Sequence, residues 1–245
     1  MAMAADRIID RLSRVNSERL RRHMTPGLGA KVEAVKRYQQ RRFAHTYADL
    51  LSNERYGKAA SFFLNELYGP QDFTRRDAQF LRVVPALVRL FPADVVGAVC
   101  DLAELHELSE SLDTQMGLKL TQADEEVGAQ QYVFAWQACG HAAERERQIS
   151  LTIQLGNSLD QLTKKSVLRH SLRMMRGPAR AAGLAELQHL LETGFDAFKK
   201  MRGAYEFLQL IETRERNLAA AIFAAHIASS DASAAEAQFS VAGLP

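Results

Sequence analysis

Carboxylates and histidines at helical spacing are the residues of this 245-residue chain with the clearest chemical potential. Glu186 and His189 stand three positions apart and are extended by Glu192, while His141 and Glu144 repeat the spacing in the opposite order. Residues three apart on a helix project to the same side, which is how di-iron bundles present two Glu-x-x-His pairs with further glutamates. The second pair in that order is missing, so no cofactor is the first expectation. Heme-oxygenase-like bundles hold iron with looser sets of His, Glu and Asp. For such a metal-dependent helical oxidoreductase, the alternative reading, the candidate ligands are Glu66, Glu104, His106, His141, Glu144, Glu186 and His189. His106 also shares a helical face with Glu110 and Asp113. Glu66 lies among Phe62, Phe63, Leu64 and Leu67. Burial would raise its pKa unless a cation joined it, and an arginine from a neighbouring helix is the expected partner.

A second constellation is cationic. Arg169, Arg173, Arg176 and Arg180 follow Lys164 and Lys165, and no acid occurs between Asp160 and Glu186. On one continuous helix the four arginines form a stripe. Arg180, just past Gly177-Pro178, would lie in the first turn of a new helix, whose free N–H groups favour anions. The stripe suits an anionic small molecule or a lipid headgroup. Equally, it suits internal or intersubunit pairing with the acid-rich run Asp101, Glu104, Glu107, Glu110, Asp113, Asp124, Glu125 and Glu126, which is the expectation preferred here. Aromatic residues are not interleaved with these bases, which argues against nucleic acid.

The net charge of +2 conceals segregation along the chain. Residues 1–42 hold eleven Lys/Arg and four Asp/Glu, leaving 20 basic and 25 acidic residues for the remainder. Arg7, Arg11, Arg14, Arg21 and Arg22 accompany a modest apolar stripe, expected as a solvated face, with peripheral membrane contact left open. Nucleophile and phosphate motifs are missing: there is no GxSxG, GxGxxG, GxxxxGK[ST] or HExxH. Whether the protein is an enzyme stays open at this level.

The elements that must position these residues read as helices throughout. Leucine and alanine recur at helical spacing, and no stretch alternates cleanly in a Val/Ile/Thr-rich strand pattern. Ile8, Ile9, Leu12 and Val15 begin a helix that stops near Thr25-Pro26-Gly27. A second is expected over 30–51, and a third ends at Tyr68-Gly69-Pro70. Thr74 reads as an N-cap with Asp77 in the first turn, opening a helix that Pro85 kinks or splits. Pro92 opens a longer one, and Thr121-x-x-Asp124 marks the start of another that ends at Cys139-Gly140. The pattern then runs from Glu144 to Met175, with a weak point at Gly156-Asn157, and is ended by Gly177-Pro178. Two final helices are separated by Gly203. The expectation is an all-α single bundle of about eight or nine helices over 1–228, with no β-sheet, and a disordered tail over 229–245.

With 47% hydrophobic and 24% charged residues the chain has the composition of a globular domain able to bury a core unaided. Cys100 and Cys139 match no zinc or redox spacing and suit a reducing cytoplasm. No apolar run is long enough for a transmembrane segment.

Phe62-Phe63-Leu64-Asn65-Glu66-Leu67-Tyr68 resembles the signature heptapeptide of a bacterial family, the FFLEELY motif proteins, with Asn65 where the name has Glu. Gly69-Pro70-Gln71-Asp72-Phe73 and Arg176-Gly177-Pro178-Ala179-Arg180 are similar to that family as well. The resemblance implies a helical bacterial cytosolic protein. It supplies no established activity, and therefore no catalytic residue. Asn65 also removes the second of two adjacent carboxylates. The leading functional expectation is a non-catalytic helical protein that assembles with itself or with a protein partner, ahead of the metal-bundle and anion-binding alternatives.

Overall fold

A computed structural model describes residues 2–67, 69–121, 126–225 and 244–245. Twelve α-helices and no strand are found among the described residues. They are α1 (Ala2–Met24), α2 (Leu28–Thr46), α3 (Ala48–Ser52), α4 (Gly57–Phe62), α5 (Thr74–Leu90), α6 (Ala93–Lys119), α7 (Ala129–Cys139), α8 (Ala142–Thr163), α9 (Ser166–Met174), α10 (Arg176–Ala181), α11 (Ala185–Met201) and α12 (Tyr205–Ala224). A π-helical turn, Phe63–Leu67, extends α4.

The all-helical expectation holds, and the count of eight or nine is corrected to twelve. Three local breaks account for the difference. The stretch read as one helix over 30–51 is interrupted at Tyr47, whose ring is fully buried and whose hydroxyl donates to Glu215 Oε1 at 2.7 Å. The stretch from Glu144 to Met175 breaks at Lys164-Lys165, not at Gly156-Asn157. Gly156 stays helical because Leu208 of α12 packs against its bare Cα, where a Cβ would collide with the leucine methyls. The third break separates α10 from α11 at Ala182-Gly183-Leu184, where Gly183 takes φ +69°; the break expected at Gly177-Pro178 falls at Met175, and Pro178 lies in the first turn of the new helix α10 as expected, where proline's missing N–H costs nothing. Pro85 is carried inside an unbroken α5. The helix start placed at Thr121-x-x-Asp124 involves residues outside the described ones, and α7 instead begins at Gly128, whose N–H donates to Gln131 Oε1 at 3.0 Å.

α6 is the axis. Its 27 residues span about 40 Å at 1.5 Å per residue, and it packs against α1, α2, α7 and α8. On α1, Ile8, Leu12 and Val15 form one buried stripe, and the next positions of that stripe are Arg19 and Arg22. On α6, Val96, Val99 and Ala103 are buried, and the continuation is His106, Glu110 and Asp113. The two helices run in the same direction, so both faces change from apolar to charged at the same level. α2 crosses the charged half in the opposite sense, and a Cβ on Gly117 would stand 2.6 Å from Val32 Cγ2, so glycine sets how closely α2 approaches. α8 runs antiparallel to α6, with Leu151 and Leu155 against Ala98 and Leu105.

A second aromatic core lies at the other side of α8. Phe63 contacts Phe198 and Phe207 with ring centroids 6.1 and 5.9 Å apart, and Phe62 lies so close to Gly194 that a Cβ there would come within 2.8 Å of its Cζ. Of the stretch expected as a tail, 229–245, all but the last two residues lie outside the described ones. Leu244 packs on the Tyr132–Trp136 cluster, and the Tyr38 hydroxyl donates to the Pro245 carbonyl at 3.2 Å.

Candidate functional site

The charged halves of α1 and α6 meet in a buried polar ridge. Glu110, 4% exposed, accepts from Arg22 Nη1 at 2.5 Å and from Lys36 Nζ at 2.6 Å, while the Arg22 Nη2 bonds the Glu110 carbonyl and its Nε the Thr114 hydroxyl at 2.9 Å. Burial alone would raise the Glu110 carboxyl; Lys36 and Arg22 overcome it and hold it at about 2. One turn on, Asp113 is as deeply buried but receives an uncharged donor, Gln39 Nε2, at 2.9 Å. Burial therefore wins there, and its pKa rises. One turn back, His106 Nε2 lies 2.8 Å from Asp77 Oδ2, which also accepts from Arg19 Nη2 at 2.6 Å. Burial would raise Asp77 too, but His106 and Arg19 hold it below the usual carboxylate range.

Asp77 thus has a different role from the one its sequence position suggests. It lies in the first turn of α5 as expected, but its carboxylate is taken by His106 and Arg19; the N-cap is Phe73 and not Thr74, and Asp72 accepts from the Thr74 N–H at 2.9 Å and from the Thr74 hydroxyl at 2.5 Å. A surface cleft of about 350 Å³ opens over the ridge, between Arg19, Arg22 and Lys36 on one side and Pro70–Phe73 on the other.

Beyond Asp113 the ridge continues into a cavity of about 50 Å³ among α2, α7, α8 and α12. Two guanidiniums reach it. Arg42, bonded to Glu215, keeps its charge because that carboxylate outweighs the cost of burial. Arg145, 3% exposed, has no carboxylate within ion-pairing distance among the described residues. Its Nη1 donates to Gln148 Oε1 at 3.2 Å and its Nη2 reaches Met116 Sδ at 3.0 Å, while the guanidinium carbon lies 3.9 Å from the centre of the Trp136 ring. Burial lowers its pKa. A desolvated cation–π contact is worth about 2 kcal/mol. Burying an ion costs several kcal/mol even after relaxation, so the ring alone does not offset it.

The sequence-selected residues fall into separate places. His106 belongs to the ridge. Glu66, half-buried on the π turn, lies 3.9 Å from His189 Nε2, and its arginine partner is Arg76, which takes the Glu66 backbone carbonyl at 2.9 Å instead of its carboxylate. His141 and Glu144 pair locally at 3.3 Å on the exposed start of α8. Glu186 meets Arg75 at 3.3 Å, and Glu104 meets Arg147 at 2.7 Å. Among the described residues no three His, Cys, Asp or Glu side chains come together at metal-binding distance.

Of the arginine stripe, Arg169 pairs with Asp196 at 3.1 Å and Arg176 with Glu192 at 2.6 Å, both on α11 and both outside the acidic run expected to receive them. Arg173 and Arg180 are exposed. The acidic run serves the N-terminal bases instead: Arg11 reaches Glu107 at 2.5 Å and Glu104 at 3.6 Å, beside the Arg22 and Lys36 bonds to Glu110. Arg145 and Trp136 were not singled out as site residues from sequence. The signal was there in part, because Arg145 follows the local acid Glu144 and yet falls at the spacing of Thr152 and Leu155 on the inward face.

Elsewhere in the fold, apolar side chains of α9 are open to solvent. α9 has no buried residue; Val167 and Met174 are 73% and 67% exposed, Met175 follows them in the chain and is exposed too, and so is Leu191 on α11, which packs against α9.

A helical bundle organised around one long axial helix, with a charged ridge inside it, is the class these features define. The chain belongs to the family of the domain of unknown function DUF8198, whose model matches residues 18–229. That match takes in the Arg22–Glu110 ridge, the π turn and the Arg145 cavity. No curated protein and no solved structure matches the chain.

Proposed function

We propose that this is a non-catalytic helical protein that self-associates through the face formed by α9, α10 and the start of α11. The observation that carries the reading is the exposed apolar set Val167, Met174, Met175 and Leu191. Contiguous exposed apolar patches mark association surfaces. Of the neighbouring cations, Arg169 and Arg176 are engaged by Asp196 and Glu192, which leaves Arg173 and Arg180 exposed. Four exposed apolar side chains against two open cations favour a second copy over an anionic ligand or headgroup as the occupant of this face. A reducing compartment such as the cytoplasm suits Cys100 and Cys139, which are half-buried, unbonded, and have thiol pKa values raised by burial. None of the described helices is long and apolar enough to cross a membrane.

Light scattering after size exclusion tests the proposal. The wild-type chain is expected to run as a dimer or higher oligomer, and Val167→Glu with Met174→Glu as a monomer with an unchanged melting temperature. A wild-type monomer over the full accessible concentration range overturns it.

A further inference from the structure

We infer that the Arg145 cavity is a binding site for a small planar oxyanion of the carboxylate type. This inference is independent of the self-association face, which lies on other helices.

Size sets the first limit. The cavity holds about 50 Å³. One water-sized sphere occupies about 10–15 Å³ of such a volume, so the space suits roughly three to five non-hydrogen atoms. Formate, acetate, nitrate and bicarbonate fit; a nucleotide or a sugar phosphate does not.

Charge sets the second. Arg42 is neutralised by Glu215, while Arg145 meets no carboxylate among the described residues. Asp113, bonded to Gln39, acts on Arg145 at longer range and forms no ion pair with it, so no carboxylate oxygen of the described residues reaches the Arg145 N–H groups. A cation would be repelled by the two guanidiniums, and a neutral molecule would leave Arg145 uncompensated. A single negative charge balances the site. A doubly charged tetrahedral ion overshoots it.

Donor geometry sets the third. Arg145 spends one N–H on an amide oxygen and another on a thioether sulfur, a weak acceptor. Two more buried donors, Arg42 Nε and Trp136 Nε1, have no hydrogen-bond partner among the described residues. Both residues line the cavity with Arg145. Buried donors are nearly always satisfied, so a cluster of them around one space calls for acceptors inside it. A planar oxyanion provides these, and it matches the flat fork of a guanidinium edge. Stacking on Trp136 fixes the plane of the Arg145 fork.

Trp136 is the only tryptophan of the chain, so its emission reports on the site directly. Titration of the full-length protein with sodium formate, acetate or nitrate, at ionic strength fixed with sodium chloride, is expected to change that emission saturably and to give a matching calorimetric isotherm. Sulfate is expected to give neither. Arg145→Met, which keeps the stem on the tryptophan but removes the charge, is expected to weaken binding at least tenfold, and Arg145→Lys to restore part of it. Should Arg145→Met fail to fold, Trp136→Phe removes the unpartnered indole N–H while keeping an aromatic ring, and calorimetry reads the result: weaker acetate binding supports the site, and unchanged binding counts against it. Saturable binding absent for all three planar anions overturns the inference. So does sulfate binding more tightly than acetate, or binding that survives in a folded Arg145→Met.

Discussion

The polar ridge inside α1, α2 and α6 and the basic edge of α9–α11 carry similar side chains and use them in opposite ways. In the ridge, Arg22 and Lys36 converge on one carboxylate, Glu110, with side-chain exposures of 10%, 14% and 5%. On the edge, Arg169–Asp196 and Arg176–Glu192 are one-to-one pairs on a solvent-facing surface. Ion pairs of the first kind are costly to assemble and very costly to break singly, because removing one member strands the other in a low dielectric. Pairs of the second kind contribute little to stability. What the difference teaches is that this chain's charges tie α1, α2 and α6 together where they are buried and constrain the fold little where they face solvent.

The most severe test of that division is Glu110→Gln, which leaves two buried cations unpaired. A loss of about 3–5 kcal/mol is expected in urea denaturation; a loss below that seen for Asp196→Asn would erase the distinction. Acid titration comes next. Glu110 is held at about 2, below its ordinary 4.5, so its contribution is fully present above pH 4.5 and is lost as the pH falls through 2. At about 1.4 kcal/mol per pKa unit this amounts to about 3 kcal/mol. The pH dependence of the melting temperature in that window should flatten in Glu110→Gln.

Asp113→Asn sharpens the comparison within the ridge itself. Because burial raises this carboxyl, its ionised form opposes folding at neutral pH, so the variant should be as stable as the parent or more so when both are unfolded at pH 7. The edge should give the smallest effect. Asp196→Asn is expected to cost less than about 1 kcal/mol, and still less as salt is added.

Much of the helical architecture was legible in the sequence, since the 3.6-residue stripes of α1, α5, α6, α11 and α12 are long and clean. What escaped was decided by tertiary packing. Tyr47 interrupts a helix whose local pattern continues, because its buried hydroxyl is taken by Glu215 from a helix 168 positions away. Gly156 marks a close approach of Leu208, which no local pattern distinguishes from a break. The ridge was partly visible: His106, Glu110 and Asp113 do share a face of α6. Their partners were not, because Arg19 and Arg22 look like ordinary members of a basic helix until their alignment with Ile8, Leu12 and Val15 is set beside the matching change on α6. Arg145 was the hardest to find. Surrounded in sequence by Glu144, Glu146 and Arg147, it has the local appearance of a solvent residue, and only the packing of α8 against α6 and α12 turns it inward.

The contact between Phe62 and Gly194 has an inheritance of its own. A single methyl group at position 194 would stand 2.8 Å from the ring, so neither position can drift freely while the other stays fixed. Two sites 132 residues apart are thereby coupled: alanine at 194 requires the Phe62 ring to move aside or to give way to a smaller side chain. The first letter of the heptapeptide is then set by the far end of the chain.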